Sequence, residues 1–201
     1  RILFALLVGL GSLLSSAQAQ TLLVLGDSLS AGYQMQVEQS WPALLNQKWQ
    51  EEGGKHTLLN ASISGETTQG ALARLPALLK EHKPDWLLIE LGGNDGLRGF
   101  AIDTVQANLN SIISLILQNN AVPVLMQIRI PPNYGPRYGR QFSDLYPQLA
   151  KKHQITLWPF FMDDIAINSE LMLPDGIHPN SQAQPLISEF VGKLLAALKT
   201  D

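Results

Sequence analysis

The chain has 201 residues, 45% hydrophobic and 15% charged, with 14 basic and 17 acidic side chains giving a net charge of −3. This suits one globular domain with a sizeable buried core, and without a basic run it argues against a nucleic acid as partner. There is no cysteine, which excludes disulfides, thiolate metal sites and cysteine nucleophiles together.

Residues 1–19, "RILFALLVGLGSLLSSAQA", carry Arg1, an apolar run from Ile2 to Leu10 and a small-residue end at Ala17-Gln18-Ala19. That is the charged end, hydrophobic middle and A-x-A site of a secretory signal. The run falls short of the ~20 apolar residues that span a bilayer. The expected organisation is a signal over 1–19 and a single domain over 20–201, soluble and exported to the periplasm or medium, with no stable membrane insertion once the signal is removed.

From Thr21 onward strand and helix patterns alternate. Leu22–Leu25 is an unbroken apolar run stopped by Gly26-Asp27-Ser28, as expected of a fully buried strand entering a turn. A helical pattern follows from Trp41 to Gln50, with Leu44, Leu45 and Trp49 on one face. "HTLLNAS" reads as a second strand. "TTQGALARLPALLKEH" reads as a helix with Leu72, Leu75, Leu78 and Leu79 on one face and a kink at Pro76. Trp86 to Gly93 reads as a third strand covered on both faces. Asp103 is the expected cap of the next helix, with Gln106 closing a capping box, and Val105, Leu109, Ile112, Ile113 and Ile116 follow at helical spacing. Val122 to Ile128 reads as the fourth strand. A loop rich in Pro, Tyr and Gly from Pro131 to Tyr138 leads to another helix, and Ile155 to Trp158 reads as the fifth strand. The last helix carries Leu186, Ile187, Phe190, Val191, Leu194 and Leu198 on one stripe.

Such alternation predicts a parallel sheet with helices on both faces, and ligands bind such sheets at the carboxyl ends of the strands. Small and polar residues collect there: Gly26-Asp27-Ser28, Asn60 to Gly65, Gly92 to Gly96, and Arg129-Ile130-Pro131. A serine hydroxyl becomes a nucleophile when a base takes its proton and a third group orients the base. Of four histidines, His82 and His153 sit among charges at helix ends and His56 begins a strand. His178 lies in "LPDGIHPN", three residues after Asp175. An Asp-Gly-Ile-His turn lets the carboxylate fix the imidazole tautomer, although Pro-Asp-Gly is equally a turn signal. Candidate donors for an oxyanion are the backbone N–H groups of Ser28 and Gly65 and the side-chain amide of Asn94; Asn94 fits a plain turn as well. Asp27 and Asp95 read as structural. There is no G-x-S-x-G elbow.

Together "GDSLS", Ser64-Gly65, "GGND" and "DGIHP", in that order across the mature chain, resemble the GDSL (SGNH) hydrolase family. "NASISGET", "ARLPALL", "ELGGNDGLRGF" and "PFFM" resemble its bacterial thioesterase, lysophospholipase and arylesterase branch. The resemblance implies a flavodoxin-like three-layer α/β/α sandwich with five parallel strands and a cofactor-free, metal-free serine hydrolase. Ser28 would be the nucleophile, His178 the base and Asp175 its orienter, with Ser28, Gly65 and Asn94 as the oxyanion hole. Substrates would be carboxylic and aryl esters, acyl thioesters or lysophospholipids, acted on by a monomer. Gly96 to Phe100 would form a mobile loop by the acyl pocket, which Ile130 would line. Leu97, Phe100, Ile128, Tyr134 and Met162 are further pocket candidates.

Three rival readings stand beside this one. The same fold supports deacetylation of polysaccharide sugars. A non-catalytic phosphate- or nucleotide-binding module would need glycine fingerprints that are absent. A metal-dependent hydrolase using Asp27, Asp175 and His178 would lack a second histidine.

Overall fold

A computed structural model describes residues 20–54 and 56–198; the signal read over residues 1–19 lies outside the described residues. Strands β1 (Gln20–Gly26), β2 (His56–Asn60), β3 (Trp86–Glu90), β4 (Val122–Met126) and β5 (Thr156–Trp158) form one sheet. Their order is β2-β1-β3-β4-β5, and every pairing is parallel. Val24 at the centre of β1 lies opposite Asn60 on one side and Leu88 on the other.

The helices are α1 (Ser28–Ala31), α2 (Trp41–Glu51), α3 (Thr68–His82), α4 (Gly93–Leu97), α5 (Ile102–Gln118), α6 (Pro136–His153) and α7 (Gln184–Ala196). Right-handed crossovers divide them between the two faces. The step from β1 to β2 runs opposite to the later steps, so α2 lies on one face and α3, α5 and α6 on the other. α7 returns to pack against α2, while α3, α5 and α6 pack in series. The result is a three-layer α/β/α sandwich. Both faces being covered explains the apolar runs: Leu22–Leu25, Leu87–Ile89 and Val124–Met126 are fully buried. The stripe Val105, Leu109, Ile112, Ile113 and Ile116 of α5 is buried as its spacing requires. Among the described residues no helix is long and apolar enough to cross a membrane.

Three local expectations are corrected. β2 ends at Asn60 rather than Ser62, where the Asn60 side chain takes the Ser62 N–H in a local turn and donates to Ser30 O. α5 begins at Ile102 with Ala101 as its cap residue. The Thr104 and Val105 N–H groups donate to Ala101 O at 3.0 and 3.2 Å, so Asp103 lies inside the first turn and caps nothing. α3 spans Thr68–His82 with Pro76 inside it, on its exposed side. Leu186 is 48% exposed; the inner stripe of α7 runs through Ile187, Val191 and Leu195, a strict four-residue step that excludes Leu186.

β3 also stops early, and the reason bears on the site. After Glu90 the chain turns through Gly92, whose φ of +114° is open to glycine and strained for other residues, and enters α4. Tyr146 of α6 donates to Leu91 O at 3.0 Å and fills the space where a Gly92 side chain would stand. Gly92→Ala combines left-handed strain with overpacking and should lower stability by about 2–4 kcal/mol. Urea unfolding checks this; an unchanged midpoint would show that the turn is not fixed by glycine.

Candidate active site

The strand order reverses at β1, and the crevice beyond its carboxyl end is where open α/β sheets bind ligands. Asp27 caps α1, its Oδ1 accepting the Leu29 N–H at 3.0 Å, and Ser28 is the first helical residue, 9% exposed. The loop after β2 is laced onto this turn, with Ala61 N–H donating to Val24 O at 2.9 Å and Ile63 N–H to Gly26 O at 3.1 Å. Gly65 follows two residues after Ile63, with φ +80° and its carbonyl accepting from Arg98 Nη2 at 3.2 Å. Asn94 is the second residue of α4, and its Nδ2 donates to Asp27 Oδ2 at 3.1 Å. Among the described residues, neither the Ser28 nor the Gly65 backbone N–H is given to a protein acceptor.

His178 arrives from the segment before α7. Leu173 N–H donates to His178 O and Asn180 N–H to Leu171 O, both at 2.8 Å, closing that segment on itself. The following helix is tied to α2 through Trp41 N–H donating to Gln184 Oε1 at 2.9 Å. Asp175 Oδ1 accepts the N–H groups of Ile177 and His178 at 2.9 and 3.0 Å, and its Oδ2 lies 2.7 Å from His178 Nδ1. A carboxylate can only accept, so Nδ1 carries the proton. In the neutral ring Nε2 then presents its lone pair to Ser28 Oγ at 2.8 Å. The other histidines have different surroundings: His56 sits between Trp49 and Trp86, His82 beside Glu81, and His153 against Asn110.

Burial sets the electrostatics. Asp27 is 2% exposed, and loss of water raises its carboxyl from 3.8 to about 6. The Leu29 N–H, His178 and the Asn94 amide pull downward, while Asp95 pushes up. Glu90, fully buried at the end of β3, is pushed well above the usual carboxylate range by burial first and by Asp27 second. Its Oε2 accepts from Ser30 Oγ at 2.8 Å and Asp27 N–H at 3.3 Å. On Asp175, burial works upward too. The His178 and Ile177 N–H groups and the imidazole outweigh it and hold the carboxyl below its ordinary value.

A cavity of about 400 Å³ opens from Ser28, Asn94 and His178. Of the six pocket candidates, Leu97, Ile128, Ile130 and Met162 line it, with Phe160 and Pro131. Phe100 and Tyr134 do not. Phe100 packs against the core, and Tyr134 braces the wall from behind by donating to Leu97 O at 2.9 Å. Sequence reasoning missed Tyr33, whose ring stacks on His178 at 4.2 Å between centroids, and no periodicity marks it. It also missed Glu90, although an acid ending the apolar run "WLLIE" was a visible signal.

A parallel sheet that delivers a serine, a histidine and a carboxylate in hydrogen-bonded series to its switch point defines a hydrolase-type α/β protein. The model of the GDSL-like lipase/acylhydrolase family matches residues 24–185, and the chain belongs to this family of serine ester hydrolases. It is 54% identical to the thioesterase 1/protease 1/lysophospholipase L1 of Escherichia coli K12 over 183 residues, 91% of this chain and 86% of that protein. It is also 54% identical to an arylesterase of Vibrio mimicus, covering 90% of each chain. Among solved structures, the Pseudoalteromonas esterase EstA, inhibited by monoethylphosphonate, superposes with a TM-score of 0.85 at 48% identity, covering 88% of this chain and 99% of that one.

The raised Asp27 gives a signed prediction. Below pH 3.8 its carboxyl is protonated both folded and unfolded. Between there and about 6 the unfolded chain releases its proton first, so stability falls as pH rises, and the full penalty persists above about 6. Asn keeps the capping acceptor without the charge. Asp27→Asn should therefore stabilise the fold at pH 7 by on the order of 1–3 kcal/mol, with the gain vanishing near pH 4. Urea midpoints at the two pH values check it; equal midpoints at pH 7 would contradict it.

Proposed function

We propose that the protein hydrolyses carboxylic esters and acyl thioesters through an acyl-enzyme, with Ser28 as nucleophile, His178 as general base and Asp175 orienting the imidazole. The observation that carries this is the unbroken series from Asp175 Oδ2 to His178 Nδ1 at 2.7 Å and from His178 Nε2 to Ser28 Oγ at 2.8 Å. Ser28 Oγ attacks the carbonyl carbon while its proton passes to Nε2. The oxyanion takes hydrogen bonds from the Ser28 and Gly65 N–H groups and the Asn94 amide. The imidazolium, stabilised by Asp175, gives its proton to the departing alcohol or thiol. Water then repeats the sequence and frees the acid. These steps call on no cofactor or metal.

Leu97, Ile128, Ile130, Phe160 and Met162 favour an aliphatic or aryl acyl group over a sugar. Relatives named for thioesters, lysophospholipids and aryl esters support the same substrate breadth. All the proposed groups come from one chain, consistent with a monomer. Residues 1–19, with their signal-like pattern, support action after export.

Ser28→Ala should lower turnover by at least ~10³-fold with an unchanged melting temperature, and Asp175→Asn by ~10⁴-fold. With p-nitrophenyl esters of increasing length, each methylene buried in the cavity is worth ~0.8 kcal/mol. Selectivity, kcat/KM, should therefore rise by up to about fourfold per carbon until the cavity is full. A preference for acetyl esters and acetylated sugars would instead favour polysaccharide deacetylation.

A further inference from the structure

We propose that Asp27 is a positioning residue that fixes which end of the Asn94 side-chain amide faces the reacting carbonyl. The proposal rests on the reading of Asn94 as an oxyanion donor.

Asp27 stands between the turn that carries Ser28 and the helix that carries Asn94. Its Oδ1 takes the Leu29 N–H at 3.0 Å, and its Oδ2 takes one N–H of Asn94 Nδ2 at 3.1 Å. Both residues line the cavity. An amide nitrogen has two N–H groups, so one is spent on Asp27 and the second remains for a developing oxyanion. Nothing else decides the orientation, because among the described residues the Asn94 side chain makes no other hydrogen bond.

The selection follows from what each group can do. An ionised carboxylate accepts and never donates. It therefore repels the amide oxygen and holds the amide with nitrogen toward itself and toward the substrate oxygen. A protonated carboxyl offers an O–H, which the amide oxygen accepts. The amide then turns over, and the position that donated to the oxyanion presents an oxygen lone pair instead. One proton on Asp27 converts a stabilising contact into a repulsive one.

The groups facing Asp27 come from every neighbouring element. Glu90 reaches its N–H from β3, Asp95 lies behind it in α4, Tyr146 approaches from α6, and His178 lies across the cavity. Burial and Asp95 favour the proton, while His178, Leu29 and Asn94 oppose it, leaving the carboxyl at about 6. The conversion thus falls inside the range an ester hydrolase can be assayed in.

The test compares kcat of the wild-type full-length protein with that of Asn94→Ala on one p-nitrophenyl ester from pH 5 to 8. Any pH dependence that the two proteins share cancels in the ratio. The expected ratio is ~10²–10³ at pH 8, the usual loss for one oxyanion donor, falling by up to about tenfold toward pH 5 as Asp27, at about 6, takes up its proton. In addition, Asp27→Asn should lower kcat with KM little changed, and should cost nothing further in the Asn94→Ala background. A role confined to shaping the serine turn would lower kcat equally in both backgrounds. A large ratio that stays flat across pH overturns the proposal while leaving Asn94 as a donor. A ratio near one at every pH overturns both, and leaves the assignment of Ser28 and His178 to its own variants. The ratio needs no Asp27 variant, so it decides independently of Asp27→Asn.

Discussion

The parallel pairing of β1 between β2 and β3 is the constraint from which the site is built. Strands that run the same way end on the same edge, so segments far apart in sequence are brought together there. Ser28 and His178 are 150 positions apart and meet at 2.8 Å. Reversal of the order at β1 leaves a crevice instead of a covering helix connection. Ser28 follows β1, Gly65 the loop after β2, Asn94 the turn after β3, and Ile130 the end of β4. The fifth contribution, Asp175 and His178, comes from a segment closed by its own backbone bonds and held by α7.

Fixing those groups requires polar atoms inside an apolar sandwich. Asp27 and Glu90 are buried close together beneath the serine, and burial opposes ionisation of both. The turn is held from several directions: Glu90 on the Asp27 N–H and the Ser30 hydroxyl, Asp27 on Leu29 and Asn94, Trp41 Nε1 on Ser30 Oγ at 3.3 Å. A chain selected for stability alone would place neutral side chains there. Retaining the carboxylates costs folding free energy; under the proposed roles of Ser28 and Asn94 it orients the nucleophile and the amide, the usual opposition between stability and activity.

Much of this was legible in the residues. Apolar runs at Leu22–Leu25 and Trp86–Ile89 announced strands covered on both faces, and the α5 stripe was read residue by residue. Ser28 stands out because it follows a buried apolar run, and Asp175 and His178 because an acid three residues before a histidine can fold back on it. Less legible was what depends on packing between distant segments. Asp103 resembled a cap by local chemistry, but the chain enters α5 two residues earlier, at Ala101, after the short link from α4. Leu186 matched an apolar stripe whose true direction was set by α2. Phe100 and Tyr134 are aromatic and near the site in sequence, yet Phe100 packs against the core and Tyr134 hydrogen-bonds the backbone of Leu97. The contact of Asp27 with Asn94 joins positions 67 residues apart, and no local pattern encodes it.

The central claim is that Ser28 is an activated nucleophile, and covalent labelling tests it most directly. The folded protein would be treated with a fluorophosphonate, digested and mapped, with Ser28→Ala carried alongside. A single stoichiometric adduct on the peptide holding Ser28, absent from the variant, is the predicted result. A folded protein that stays unlabelled, or an adduct that persists in Ser28→Ala, would contradict it.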